Sequence, residues 1–282
     1  MKKGWLLNVA LLIAVVALGS FVYLKPRSDT PVSHALSSLK ANEVKHIRVE
    51  RKGDPPLEIE RNGDTWFITA PVPAQADAFQ VQRLLAILDA SAAHRLAATD
   101  YTRFDLDRPL LRLTIDGEQF SFGAVNAITR EQYVLAGGTV YAIAPRYGAM
   151  MPVNMAHLIR KQLFAANESP VRFEFRDFTV AQSEGRWRVS PAAGELSQDD
   201  VNRWIDGWRH AAALRAEPYS GGKPVDAVKM ELKDGRTLML DILQKGSEFV
   251  IARPDEKLRY HFAAETAKQL LAPPGSIQPK QP

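Results

Sequence analysis

The chain has 282 residues, with 36 Lys and Arg against 32 Asp and Glu, a formal charge of +4 and no cysteine. The absence of thiols excludes disulfides, thiolate metal sites and cysteine nucleophiles together, so the fold rests on its own core, which a chain of this length can bury. Lys2 and Lys3 supply two of the positive charges; the remainder is near balance and has no basic stripe with interleaved aromatics, which argues against nucleic acid as a partner.

Residues 1–4 form a short basic N-terminus. The run from Trp5 to Leu24 has no charge and one strongly polar side chain, Asn8. As a helix it would cover roughly 30 Å, the thickness of a bilayer's hydrocarbon core. The lysines before it outweigh the Lys25 and Arg27 after it only modestly, and a short basic start is expected to stay in the cytoplasm while the bulk is exported. Trp5 and Tyr23 sit near the two ends, where amphipathic rings favour the interface. Ala17-Leu18-Gly19 resembles a cleavage site, but the apolar run continues beyond it through Phe21 to Leu24, longer than a signal peptide requires. The expectation is an uncleaved anchor, followed by a tether over 25–42 that contains a short helix over 32–42.

The body then reads as one pattern written twice, over 43–163 and 170–272, joined around 164–170. The first copy opens with Val44-Lys-His-Ile-Arg-Val49 and the second with Val171-Arg-Phe-Glu-Phe175, both of period two. Each returns through a tryptophan strand, Thr65-Trp66-Phe-Ile68 or Arg186-Trp187-Arg-Val189, with Pro71 or Pro191 shortly after. Asp77 then heads a helix to Leu88, with Val81, Leu84, Leu85 and Leu88 on one face. Ser197 heads another to Trp208, with Val201, Trp204, Ile205 and Trp208 in matching places. Asp and Ser oxygens accept the free first-turn amides, and the spacing gives one apolar stripe. Each copy continues with a hairpin turn, Asp116-Gly117 or Asp234-Gly235. Two more strands follow, Tyr133-Val-Leu135 with Val140-Tyr-Ala-Ile143, and Phe249-Val-Ile251 with Tyr260-His-Phe262. A final helix is expected over 149–162 and over 264–271. Each copy amounts to about seven short antiparallel strands around one helix, so the fold class is α+β with two β-meander units. The tail 273–282 reads as disordered.

Few side chains suggest chemistry. His34, His46, His94, His157, His210 and His261 show no metal-ligand spacing, and no metal or cofactor is expected; His46 and His261 read as surface or half-buried strand residues. There is no G-x-S-x-G elbow. Gly137-Gly138 and Ser220-Gly-Gly-Lys223 read as turns. Arg172, Arg176, Arg186 and Arg188 alternate with Glu174, Asp177 and Glu184 as a solvated strand face. Asp199 and Asp200 suit a first helical turn. Asp105 and Asp107 alternate with apolar residues and would share a face if extended; they are the carboxylate pair to watch, although loop hydrogen bonding also accounts for them. The four tryptophans Trp66, Trp187, Trp204 and Trp208 read as packing. Tyr133 and Tyr141, on adjacent strands, are expected on an exposed face lining a groove between the units.

Several of these landmarks together resemble the DUF4340 domain family of bacterial exported proteins. They are Trp66 to Pro71, the helix from Asp77, Phe104-Asp-Leu-Asp-Arg-Pro109, Phe122-Gly123, Tyr133-Val134 and Val140-Tyr141-Ala-Ile143. The likeness covers roughly 40–160 well and the second copy loosely. The resemblance implies an inner-membrane, single-pass protein with its body in the periplasm. It also implies an association, in some members, with ABC transporters of the gliding-motility type; this chain departs from those members in lacking a large preceding domain and further spans. It supplies no catalytic residues. The expected function is a non-enzymatic module, held to the membrane by its first helix, that binds an envelope protein or polymer. The alternatives are a transporter accessory subunit and an envelope hydrolase using Asp or Glu.

Overall fold

The computed structural model describes residues 3–24, 33–97, 100–191 and 196–276. The fold is α+β, mostly antiparallel sheet with a few helices laid against it. The first element is α1 (Lys3–Leu24), a helix of 22 residues. Its side chains from 10 to 21 stand exposed and Val9 is half-buried. The expected membrane span, Trp5 to Leu24, falls within it. Among the described residues, however, no helix is long and apolar enough to cross a membrane. Most of the tail expected to be disordered, the first part of the tether and the first two residues lie outside the described residues.

The short helix expected over 32–42 does not form. From 33 onward the chain makes β1 (His34–Ala35), a bend and extended backbone. Tertiary partners take the groups that a helix would use: Leu36 N donates to Ala90 O at 3.3 Å, and the Ser37 hydroxyl donates to Glu118 at 2.6 Å while accepting from Leu39 N.

The first large sheet is built from β2 (His46–Arg51), β3 (Leu57–Asn62), β4 (Thr65–Ala70) and β5 (Ala74–Gln75), then, after α2 (Ala78–Leu85) and the small β6 (Ser91–Ala92), from β7 (His94–Leu96), β8 (Leu111–Ile115), β9 (Glu118–Val125), β10 (Gln132–Ala136) and β11 (Thr139–Ile143). Its strand order is β5-β4-β3-β2-β8-β9-β10-β11-β7. Asp77 caps α2 by accepting from Gln80 N at 3.1 Å, and beyond Leu85 the helix tightens into a 3-10 turn, Ala86–Asp89. Asp116 and Gly117 join β8 to β9 with positive φ at both residues, 44° and 90°, the geometry that matches the twist of two paired strands.

A single turn, α3 (Arg146–Ala149), and a 3-10 turn, Met155–His157, replace the helix expected over 149–162. Pro152 interrupts the segment, Asn154 caps the 3-10 turn through Ala156 N, and the following amides bond to other parts of the fold. The second large sheet contains β12 (Pro170–Glu174), β13 (Thr179–Ser183), β14 (Arg186–Ser190), β15 (Arg215–Pro218), β16 (Asp226–Leu232), β17 (Thr237–Lys245), β18 (Glu248–Arg253) and β19 (Leu258–Ala263), with α4 (Gln198–Arg209) and α5 (Ala264–Leu271). Its order is β14-β13-β12-β16-β17-β18-β19-β15. The turn at Asp234-Gly235 differs from its counterpart: only Gly235 has positive φ, and the Asp234 carboxylate accepts from Arg236 N at 3.0 Å.

Both tryptophan strands lie near a sheet edge, and each is closed differently. Ala76 N donates to Trp66 O at 2.9 Å, alongside β5. At Trp187 a side chain does the same work: Gln198 Oε1 accepts from Trp187 N at 3.1 Å and its Nε2 donates to Trp187 O at 2.9 Å. The inward faces of both sheets share one apolar core. Around α4 it is aromatic, with Phe173 5.0 Å and Trp208 6.1 Å from Trp204 between ring centroids. Trp208 is fully buried, and its Nε1 donates to Leu270 O at 3.0 Å, tying α4 to α5. Truncating such a side chain removes its burial and its hydrogen bond together. Trp208→Ala is expected to lower unfolding free energy by about 3–5 kcal/mol, and Arg188→Ala, at an exposed edge position, by no more than about 0.5 kcal/mol; urea denaturation followed by circular dichroism measures both.

Candidate functional site at the seam between the sheets

The segment 158–164 is the joint of the molecule. On one side Asp77 N donates to Leu158 O at 2.7 Å, Arg160 N donates to Gln75 O at 3.0 Å, and Ile159 bridges Ala76. On the other, Leu163 N donates to Ala211 O at 3.0 Å, Ala213 N donates to Lys161 O at 2.8 Å, and Gln162 bridges Ala212. One extended stretch thus pairs with backbone beside both sheets. Its apolar residues Leu158, Ile159, Leu163 and Phe164 are buried.

Charge is buried at the same joint. Arg253 is 1% exposed. Its Nη1 donates to Leu163 O at 2.9 Å and to Glu168 Oε2 at 2.6 Å; its Nη2 donates to Glu168 Oε1 at 3.0 Å and to Asp255 Oδ2 at 2.7 Å. Glu168 also accepts from Ala165 N at 2.9 Å. Arg160 donates to the carbonyls of Gln162 and Phe164 and pairs with Glu256 at 3.4 Å. Tyr260 donates its hydroxyl to Glu256 Oε2 at 2.6 Å.

This network sets the protonation states. Burial opposes the charge on Glu168, but the Arg253 guanidinium, the Ala165 amide and Arg236 outweigh it and hold the carboxyl below its usual range. Burial also opposes the charge on Arg253, yet Glu168, Asp255 and Glu256 keep it protonated more firmly than a free arginine. For Glu256 burial dominates and raises the carboxyl. Burial, reinforced by Glu256, likewise raises the Tyr260 phenol.

Above the joint lies a groove of about 680 Å³, lined among others by Phe67, Gln75, Asn167, Asp255, Glu256 and Lys257. It draws on the edge of the first sheet, the linker and the turn between β18 and β19. Phe67 is 38% exposed, because strand alternation points it away from the core that holds Trp66 and Ile68. Asp255 and Glu256 are already bonded to arginine or tyrosine. The groove therefore offers a ligand a fixed shape, an aromatic face, two side-chain amides and the exposed Lys257 ammonium.

The four residues singled out from sequence lie elsewhere. Tyr133 and Tyr141 are on opposite faces of the first sheet, since Tyr141 stands opposite Val134 and Tyr133 opposite Ala142 in register. Tyr133 packs edge-on against Phe104 at 4.7 Å, and its oxygen accepts from Asn126 Nδ2 at 2.7 Å; Tyr141 packs half-buried against the main core. Asp105 is left-handed (φ 55°), so it and Asp107 do not lie on an extended strand. Both are exposed and line a separate recess of about 660 Å³ with Arg51 and Arg108. His261, expected at the surface or half-buried, is buried, with Nε2 2.8 Å from Glu217 and Nδ1 3.0 Å from Glu248. Among the described residues no group of His, Asp and Glu could hold a metal ion. Sequence reading missed Arg253 and Glu168; the available signal was an arginine closing the apolar strand Phe249 to Ala252.

A family model described as a domain of unknown function (DUF4340) matches residues 66–232. The match starts at the tryptophan of β4, leaving out 40–65 of the stretch over which the likeness is plain by eye, passes through the whole joint and ends with β16, beyond that stretch. Arg253 and Glu256 lie outside it. No curated protein matches, and no solved structure matches.

Removing Arg253 leaves Glu168 charged, buried and short of its main partner. Arg253→Met is expected to cost about 3–5 kcal/mol of stability, read from chemical denaturation. The two carboxylates act in opposite directions with pH. The depressed Glu168 contributes stability that is present above the ordinary carboxylate value of about 4.3 and lost as pH falls through its folded value. The raised Glu256 favours the fold below about 4.3 and loses that contribution as pH rises through its folded value. The stability of Glu256→Gln relative to the parent is therefore expected to be greater at pH 7 than at pH 5, as measured by denaturation at the two values.

Proposed function

The chain belongs to the DUF4340 family, and from that premise we propose that it is a membrane-anchored binding module of the bacterial envelope, built from two copies of one β-meander unit and presenting the seam groove to an envelope protein or polymer. The observation that carries this reading is the joint itself. A groove whose walls are hydrogen-bonded to a shared segment keeps its shape without a ligand, so little ordering is required on binding. Its two carboxylates, Asp255 and Glu256, are already held by arginine or tyrosine, which favours recognition by shape and amide hydrogen bonds over reaction. The anchor rests on the sequence, in which Lys2 and Lys3 precede the uncharged run from Trp5 to Leu24, about 30 Å if helical. The same reading places the body in the periplasm. Support for two copies comes from the matching strand orders, in which β2-β3-β4 and β8 to β11 of one sheet correspond to β12-β13-β14 and β16 to β19 of the other.

Two experiments test the proposal. A photo-crosslinking phenylalanine analogue at Phe67 of the full-length, membrane-borne chain is expected to give a discrete adduct, and the same analogue at Met239, exposed on the second sheet, is expected to give none. Equal patterns at the two positions, or no adduct at Phe67, would remove the groove from the proposal. The absence of cysteine makes topology directly readable: Ser220→Cys, at an exposed position, should react with a membrane-impermeant maleimide once the outer membrane is opened. Labelling only after the inner membrane is lysed would put the body in the wrong compartment.

A further inference from the structure

Alternation along β2 places Ile47, Val49 and Arg51 on one face, the face that builds the core, where Ile47 is 0% and Val49 2% exposed. Arg51 is thus a cation at the end of an apolar row, opposite the buried Leu111. The other inward arginines have carboxylates: Arg253 has Glu168 and Asp255, and Arg160 has Glu256. Among the described residues Arg51 forms no salt bridge. Its Nη2 donates to Pro152 O at 3.2 Å, and its Nε is buried with no hydrogen-bond partner. A partly desolvated guanidinium with an unused donor is costly to the fold unless an acceptor arrives from outside.

The surroundings indicate which acceptor. Arg51 stands at the wall of a pocket of about 310 Å³ whose lining is mostly apolar, with Val49, Leu57, Pro71, Pro152 and Met155 around it; Asn154 and Glu217 also line it, and the Glu217 carboxylate is already paired with Arg259 and His261. Next to it is a recess carrying Arg48, Lys52 and Arg112; Arg48 pairs with Glu58 and Glu50, Arg112 pairs with Glu50, and among the described residues Lys52 forms no salt bridge. A small apolar pocket beside an uncommitted guanidinium fits a carboxylate attached to one apolar side chain. Asp54, exposed at the rim of both recesses, selects further. Its carboxylate can accept an amide N–H, which a peptide provides and an acyl chain does not.

We propose that this pocket captures the C-terminus of a peptide ending in an apolar residue. The terminal carboxylate takes the fork of Arg51, the last side chain fills the space between Val49, Leu57 and Met155, and the preceding backbone runs out past Asp54. This site is separate from the seam groove and stands or falls independently of it.

The test is calorimetric titration of the full chain in detergent with three ligands: acetyl-Gly-Ala-Leu as the free acid, the same peptide as its C-terminal amide, and octanoate. The free acid is expected to bind, the amide at least tenfold more weakly, and octanoate more weakly than the acid. Arg51→Gln should reduce affinity for the acid at least tenfold while its melting temperature is unchanged or raised, because it removes an unpaired charge; Phe67→Ala should bind the acid as the parent does. Equal binding of acid and amide, no binding of either, tighter binding of octanoate, or undiminished affinity in Arg51→Gln would each overturn the proposal. The acid-to-amide comparison on the parent chain decides the question even if the arginine variant fails to fold.

Discussion

Two-sided pairing of residues 158–164 is the constraint on which this molecule is built. An isolated backbone hydrogen bond is worth only about 1 kcal/mol net, so the joint derives little from any one of them. Its importance is geometric. Each sheet's neighbouring segment is hydrogen-bonded to the same short stretch, so neither sheet can shift without breaking pairs on one side. The burial of Arg253 follows from this. Its partners come from the linker and from the turn after its own strand, and they converge only while the joint holds.

Charge is used in two ways. On the outward faces, ladders such as His46–Glu58, Arg48–Glu50 and Arg112–Glu50 in the first sheet, and Arg172–Glu174 and Lys229–Glu174 in the second, are half exposed. Pairs of that kind add little stability; what they do is keep broad sheet faces wet. At the joint, by contrast, the pairs lie away from water, and loss of one partner strands the other. The same residue types therefore coat the molecule in one place and lock it in another.

Local chemistry made much of the fold legible. The Asp77 and Ser197 caps both hold as hydrogen bonds to the third residue on, and the apolar stripe of each helix is buried as its spacing indicates. What failed was whatever depended on distant partners. The stretch 149–162 has helix-compatible residues, but its amides bond to both sides of the joint instead. The assignment of Tyr133 and Tyr141 to one face failed because adjacent strands pair residue by residue, and only the register decides which side chains meet. Asp105 turned left-handed where an extended strand would have paired it with Asp107. The ion network was illegible for the same reason: Glu168 and Arg253 are far apart in the chain, and neither residue's neighbours announce the other.

The amide of Gln198 has a consequence for the open margin of the second sheet. Such a margin invites another chain to pair with its backbone. In the second sheet a single side chain from the adjoining helix occupies both backbone groups of Trp187 and stands in for the missing neighbour. Shortening that side chain would return both backbone groups of Trp187 to the open margin, where another strand could take them.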